Sequence, residues 1–500
     1  MSTIRFILND RTITTDEHHG TTALDFVRRS ARLTGTKEGC REGDCGACTI
    51  LLGECDQTQT EAQGMMRPAM RYTAVNSCLL PLGALQGKHI VTVEGLNHSQ
   101  NPAKPETTPI QQAMADEGGT QCGFCTPGFI ISMTGYTLTS DTITSEGLTQ
   151  AIDGNVCRCT GYASIKRAVE RVVSELDVPH SSTGFLQRLV EQRIIPQYFL
   201  TIPERLQTLT KEIIATNGVH THSDDAITVS GGTDLFVQKH ETLATSNVRI
   251  LPPAPHHEAI WEEDGVCYME ATTTVAAFEQ SLIIRRAVPK MPDFLRVFAS
   301  TPIRNRATLG GNINNASPIG DLTAILLALG AELTLRSASG NERTIPLRTY
   351  YTGYKTLDRL PDEIVTMITF RMPDADLLDE QWFFNYEKVS RRTYLDIASV
   401  NSAVLMRVSS GIILEANVSA GGVAPVPLYC AKTSAYLVGK PISSEIFREA
   451  AEILVAEAAP ISDARGTVEY KRLLLQRLFF AHALALFPEA VSPHEILAVG

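Results

Sequence analysis

Apolar and polar residues alternate along 3–8 and again along 11–15, on either side of Asn9-Asp10, which predicts two strands joined by a turn. From Thr22 to Leu33 the period lengthens to that of a helix, with Leu24, Val27 and Ala31 on one face. Alternation or short apolar runs return at 48–52, 69–75 and 89–94. Strands with a single helix in so short a stretch predict a small β-grasp domain over residues 1–95. A Pro/Asn/Thr-rich linker, 97–109, follows, and then the pattern is helical. Helices are predicted at 110–117, at 127–138 with Phe129, Ile130 and Met133 inward, at 145–153, and at 164–176 with Ile165, Ala168, Val169, Val172, Val173 and Leu176 on one face. Pro127 suits a first helical turn. These four helices make a second domain, 96–177.

A polar link, 178–197, leads to a helix from Pro203 with Leu206, Leu209, Ile213 and Ile214 inward, then to a buried strand, 226–230. A third domain is expected over 198–378. From about 380 onward, strands at 382–389, 397–407 and 411–420, a turn at 421–425, and helices at 443–458 and 467–486 predict a small α+β domain, 379–500. The chain reads as multidomain α+β.

Composition narrows the field. The 500 residues are 43% hydrophobic and 20% charged, as in ordinary globular proteins. A formal charge of −11 argues against nucleic acid as a main partner. No apolar stretch is long enough for a membrane span, and no basic-then-apolar leader is visible. Eleven cysteines without such a leader favour metal or redox use over disulfides, and place the protein in the cytoplasm.

Eight of those cysteines fall in two runs. The first is Cys40-Arg-Glu-Gly-Asp-Cys45-Gly-Ala-Cys48, with Cys78 further on. C-x4-C-x2-C with a distant fourth cysteine is the plant-type [2Fe–2S] spacing. A zinc site is the plain alternative, but zinc usually takes two C-x2–4-C knuckles. Gly39, Gly43 and Gly46 let the backbone bend around a cluster and turn N–H groups towards its sulfurs. The second run is Cys122-Gly-Phe-Cys125 with Cys157-Arg-Cys159, on two connections between helices. It predicts a four-thiolate pocket, again with one structural zinc as the alternative. Cys55, Cys267 and Cys430 are expected to be ordinary buried or half-buried thiols.

Two glycine loops follow. The predicted strand at 226–230 runs into Gly231-Gly-Thr-Asp234, where successive N–H groups can face a phosphate, although a tight turn without a ligand is as common. Thr308-Leu-Gly310-Gly311-Asn312 is the second, leading through Asp321 into an apolar helix ending at Leu329. Two such loops can hold a dinucleotide pyrophosphate from both sides. Asp321 either caps its helix or bonds to a ribose or adenine edge. No G-x-G-x-x-G follows a strand, so a Rossmann site is not supported.

Taken together, these motifs resemble the iron–sulfur and flavin portions of the molybdenum hydroxylases, and most of all the small subunit of bacterial xanthine dehydrogenase. The segments that carry the resemblance are Cys40–Cys48 with Asn76-Ser-Cys78, then Gln121–Gly128 with Asn155–Tyr162, then the two glycine loops. It implies [2Fe–2S] clusters on Cys40, Cys45, Cys48 and Cys78 and on Cys122, Cys125, Cys157 and Cys159. It implies FAD on a two-part α+β fold of the PCMH/VAO type. The FAD contacts would be Thr228, Val229, Ser230, Gly231, Gly232, Thr233, Asp234, Leu235, Phe298, Thr308, Leu309, Gly310, Gly311, Asn312, Asp321, Ile368 and Lys388. Core packing is the plain alternative for Phe298 and Ile368, and the register around Lys388 could be off by one. The final domain would be of the CO dehydrogenase flavoprotein C-terminal type.

The molybdopterin-binding portion of the family has no counterpart in the chain. The resemblance therefore implies a large subunit carrying the molybdenum cofactor, in an α2β2 assembly, with the helical cluster near Gln121 and Cys159 facing it. Electrons from purine oxidation, hypoxanthine and xanthine to urate, would pass through the helical cluster, then the Cys40–Cys48 cluster, then FAD, and on to NAD. No side-chain acid or base is needed in this chain, so no catalytic residue is assigned. The nearest rival is the equivalent chain of an aldehyde oxidase or carbon monoxide dehydrogenase. The rival from another class, a zinc-binding assembly protein, predicts a colourless protein.

Overall fold

The computed structural model describes residues 3–56, 69–99, 106–140, 142–176, 185–216, 226–255, 258–373 and 379–497. Parts of both expected linkers, 100–105 and 178–184, and the end of the third expected domain, 374–378, lie outside them. The chain forms two compact units. One is 1–252 together with 300–306; the other is 253–299 together with 307–500. Both mix helix and sheet, and the architecture is multidomain α+β.

The first unit is built on a five-stranded sheet. Its strand order is Arg11–Thr15, Ile4–Leu8, His89–Val91, Thr49–Asp56, Ala69–Asn76, and only the pairing of Ile4–Leu8 with His89–Val91 is parallel. The alternation read from the sequence explains its two faces. Ile4, Phe6, Leu8, Ile50, Leu52 and Val75 point one way, onto Phe26 and Val27. Leu51, Tyr72, Ala74 and Val91 point the other way, into the core of the helices Pro109–Asp116, Thr126–Thr139, Ser145–Ala151 and Ala163–Glu175. Sheet and helices thus share one apolar core. Ile7, on the same outward-facing register, packs on Ile202, Leu206 and Leu209 of the helix Ile202–Thr216.

Two expectations change here. The helix expected over 22–33 is only Ala23–Asp25 followed by a wide π-turn, Phe26–Ser30, closed by Ala31 N–H on the Phe26 carbonyl. The wider turn lets Phe26 and Val27, neighbours in sequence, both reach the core. The end of the link expected to be polar holds a helix, Phe185–Glu191, and buries Leu189, Ile194, Ile195 and Phe199 in the helical core. Its apolar residues are scattered among charges, which is why the pattern hid them.

The segment 300–306 is tied into this first unit by polar contacts. Arg304 donates to the Asp153 carboxylate at 3.0 Å, Thr301 N–H donates to the same carboxylate at 2.8 Å, and Asn305 donates to the Ala74 carbonyl at 2.9 Å.

Among the described residues the second unit has a two-stranded hairpin, Tyr351–Gly353 with Thr356–Leu357, and two large antiparallel sheets. One is ordered Glu342–Pro346, Glu332–Arg336, Ile364–Arg371, Val266–Glu270, Ile260–Glu263. The other joins Glu380–Val389, Val400–Ser409, Ile412–Gly421 and Leu428–Tyr429. The helices Ser444–Glu457 and Val468–Leu486 pack on this second sheet through Phe447, Leu454, Leu475 and Phe479. The helix Asp321–Ala328, buried along its whole length, also lies against it: Ser419 Oγ donates to the Ala324 carbonyl at 2.7 Å. Among the described residues no helix is long and apolar enough to cross a membrane.

Candidate functional site

The first cysteine loop runs from the end of the π-turn to the strand Thr49–Asp56. Arg41 fixes it from outside, donating to Asp25 at 2.7 and 3.1 Å and to Glu38 at 2.6 Å. Inside, the sulfurs meet in twos. Cys48 and Cys78 are buried with their sulfurs 3.3 Å apart, and the Cys40 and Cys45 thiols share a hydrogen bond. Contact with the Cys45 thiol, and then the N–H groups of Glu42, Cys45 and Asp44, hold the Cys40 thiol down to about 5.

The second run repeats the arrangement. Cys122 contacts Cys159 on the exposed side, and Cys125 contacts Cys157, which lies buried. Cys157 also accepts from Thr160 Oγ1 at 3.1 Å and from its N–H at 3.4 Å. Among the described residues no three Cys, His, Asp or Glu side chains converge on one metal-sized point. Two thiolates per iron is what a [2Fe–2S] cluster takes, since its four cysteines serve two metals. Two sulfurs on one tetrahedral metal at about 2.3 Å sit roughly 3.8 Å apart, near the spacing of Cys48 and Cys78. Paired sulfurs with N–H and O–H donors directed at them therefore fit such clusters, and neither site has the four-to-one convergence of zinc.

The two cysteine loops are joined directly. Val156 N–H donates to the Cys45 carbonyl at 3.0 Å, one residue before Cys157. Asn155 donates to the Gly46 carbonyl at 3.1 Å and accepts from Ser132 at 2.8 Å. Gly46 has φ +67°, and a Cβ there would lie 2.3 Å from the Gly154 carbonyl oxygen. On its other side the first loop meets the first glycine loop: Cys48, Cys78 and Leu79 share a buried cluster with Val229, Leu235 and Phe236.

The first glycine loop follows the strand Ile227–Val229 and opens the helix Leu235–Leu243. Among the described residues, the N–H groups of Gly231, Gly232 and Thr233 have no hydrogen-bond partner. Ser230 Oγ is buried and equally unpartnered. This is an open row of donors in a tight turn, which fits a phosphate; the helical segment after it is broken at Lys239, φ −143° and ψ 28°.

The second loop, in the other unit, differs from expectation. Leu309–Asn315 is a short helix, capped by Thr308 Oγ1 accepting from Gly311 N–H. Leu309 N–H donates to Thr273, Gly310 N–H to Ala271 and Asn312 N–H to Thr308, each to a carbonyl at 2.8–2.9 Å. Gly310 is needed for that approach, because a Cβ would lie 2.9 Å from the Ala271 carbonyl oxygen. Its backbone donors are already spent, so this loop offers side chains and surface rather than a phosphate nest.

The remaining expected residues lie in the second unit. Asp321 is the first helical residue but does not cap; Gly320 holds the cap position. Its carboxylate accepts from Lys388 Nζ at 2.7 Å and from Asn401 Nδ2 at 2.6 Å. Lys388 also donates to the carbonyls of Val297 at 2.7 Å and Asp396 at 2.8 Å, which uses all three ammonium protons. It therefore anchors the turn at the buried Phe298. Ile368 lies between Leu333 and Met269 on adjacent strands, its side chain fully buried in the sheet core. Sequence reasoning did not single out Asn401, Tyr386 or Asn155. Tyr386 Oη is buried beside Asp321, and burial, followed by the Asp321 charge, pushes its pKa far up. No motif marks Asn401 or Tyr386, because polar residues within strand patterns read as solvent-facing, and Asn155 stands in the second cysteine motif without a role assigned to it there.

Four family models match the chain in order. They are a 2Fe-2S iron-sulfur cluster binding domain at 6–82, a [2Fe-2S] binding domain at 92–170, an FAD binding domain in molybdopterin dehydrogenase at 200–373, and a CO dehydrogenase flavoprotein C-terminal domain at 385–486. The chain is similar to a xanthine dehydrogenase of Drosophila subobscura, 29% identical over 97% of this chain and 39% of that one. It is also similar to a xanthine dehydrogenase/oxidase of Gallus gallus, 28% identical over 96% of this chain and 40% of that one. It spans about two fifths of the length of these curated relatives. Among solved structures, a carbon monoxide dehydrogenase chain from Hydrogenophaga pseudoflava is 26% identical, with a TM-score of 0.47 over 53% of this chain and 91% of that chain. The chain thus carries two [2Fe–2S]-binding domains and an FAD-binding domain, followed by a domain of the CO dehydrogenase flavoprotein C-terminal type.

Proposed function

We propose that this chain is the electron-transfer subunit of a xanthine dehydrogenase, working with a molybdenum-cofactor subunit in an α2β2 assembly in the cytoplasm. Cys122, Cys125, Cys157 and Cys159 would hold one cluster, and Cys40, Cys45, Cys48 and Cys78 the other. When bound, clusters supply single-electron carriage and the flavin supplies two-electron storage with hydride release to NAD.

The observation that carries this reading is the position of the Cys40–Cys48 loop within its unit. One side is hydrogen-bonded to Val156, next to Cys157, and the other is packed against the strand that leads into the first glycine loop. Asn155 and Gly46 hold the two cysteine loops in register, and Arg41 keeps the first loop clamped to Asp25. The exposed flank of the helical site, Cys122, Phe124, Cys159 and Tyr162, is the face we assign to the molybdenum partner. Phe298, anchored by Lys388, and the first glycine loop are the parts we assign to FAD.

The test is co-purification with a molybdenum-cofactor subunit. The complex is expected to show iron–sulfur and flavin absorbance, about four irons per chain for two [2Fe–2S] clusters, and xanthine-dependent NAD reduction. Faster reduction with aldehydes would favour the aldehyde-oxidase type, and activity with carbon monoxide the other rival. A colourless protein would overturn the redox reading.

A further inference from the structure

Arg306 closes the segment 300–306 of the first unit and is 5% exposed. Among the described residues its guanidinium makes one hydrogen bond, and a long one: Nη2 donates to the Ser230 carbonyl at 3.4 Å. Its Nε is buried without a partner. Among the described residues no carboxylate lies within ion-pair distance of it. Glu54 acts on it only from further away, and Glu54 pairs with Lys88 at 2.8 Å. Arg304, two residues earlier and just as buried, shows the usual solution, bonding to Asp153 at 3.0 Å and Thr301 at 2.9 Å.

A buried guanidinium with one weak bond is unfavourable unless an anion joins it. The place where Arg306 ends is the first glycine loop. There the N–H groups of Gly231, Gly232 and Thr233 are unpartnered among the described residues, and Ser230 Oγ is orphaned. Backbone N–H groups, an orphaned hydroxyl and a fixed positive charge all favour the same ligand class. We infer that Arg306 is a positioning residue for a dinucleotide diphosphate, supplying from behind the Ser230–Thr233 turn the charge that the loop's neutral donors lack. The inference rests on the reading of this loop as part of the FAD site and names the group of FAD that the loop takes.

The experiment compares the full chain with Arg306→Met and Arg306→Lys, after flavin removal. Affinity for FAD is read by flavin fluorescence quenching and affinity for ADP by calorimetry. Unfolding midpoints of the flavin-free proteins and their cluster absorbance are measured alongside. Arg306→Met is expected to weaken FAD and ADP by a similar factor, about tenfold or more. Its flavin-free midpoint should be unchanged or higher, and its cluster absorbance unchanged. Arg306→Lys should recover part of the affinity. FAD and ADP affinities within twofold of the parent would overturn the inference. So would a lowered flavin-free midpoint with Arg306→Met, which marks a merely structural arginine. A parent chain that binds ADP but not FAD would overturn the flavin reading while leaving the diphosphate site standing; one that binds neither would overturn both.

Discussion

Gly46 is where the two cysteine loops come closest, and Gly46→Ala tests how much of the redox half depends on that contact. Gly46 has φ +67°, and a Cβ there would lie 2.3 Å from the Gly154 carbonyl oxygen, 2.5 Å from Asn155 Nδ2 and 2.9 Å from Asn155 Cα. Two of these atoms belong to backbone, so relief requires the loops to part. The left-handed conformation costs a non-glycine residue about 1 kcal/mol. Parting the loops also loses the bonds from Asn155 to Gly46 and from Val156 to Cys45, about 1 kcal/mol each. The sum is about 3 kcal/mol, or roughly 6–12 °C for a unit of this size. Gly118→Ala is the matched control, since φ is +68° and nothing lies within 4 Å of its Cβ. It carries only the conformational part, about 1 kcal/mol. The assay is thermal unfolding of both variants, with iron content and the spectra of the two clusters followed separately. Gly46→Ala is expected to lose iron from both sites. Equal shifts in the two variants, with full iron in each, would refute the argument that the joint supports both clusters.

Two further outcomes follow from the second unit. Lys388→Met leaves the Asp321 carboxylate buried with only Asn401, and is expected to lower stability by about 3–5 kcal/mol. Asp321→Leu combined with Lys388→Met should recover most of that loss, and additive losses in the double-mutant cycle would refute the coupling. Arg343, donating to Glu363 at 2.8 and 2.9 Å, holds that carboxyl down to about 2, against 4.5 ordinarily. A depressed carboxyl stabilises above its unfolded value and loses that contribution as pH falls from about 4.5 towards 2. Glu363→Gln should therefore unfold at lower temperature than the parent at pH 7, with the gap narrowing below about pH 4.5 and closing only near pH 2; a constant gap would refute the assignment.

How much was legible depended on how local the signal was. The cysteine spacings located both cluster sites, because thiolates on one metal pair need short, fixed separations. The strands from 380 onward were visible because each is long and rich in apolar residues, Val400–Ser409 and the second half of Ile412–Gly421 being buried almost throughout. The strands Val266–Glu270, Glu332–Arg336 and Ile364–Arg371 escaped notice because they are short or lie mid-sheet among mixed neighbours. At the candidate flavin site, the glycine motifs looked alike in sequence. Only the fold shows that Thr273 and Ala271 have taken the donors of the second loop. Lys388 and Asp321 are 67 positions apart, and nothing local links them. Arg306 reads in sequence as one more surface cation; its burial becomes apparent only once the segment 300–306 is seen inside the first unit.

That segment has a consequence for synthesis. The first 252 residues leave the ribosome well before 300–306, yet Asp153 and the Ala74 carbonyl wait for Arg304, Thr301 and Asn305 from that later stretch. N-terminal domains generally fold first during translation. Here the redox half cannot close its polar contacts until residue 306 has emerged, so its final maturation is timed by the chain that follows it.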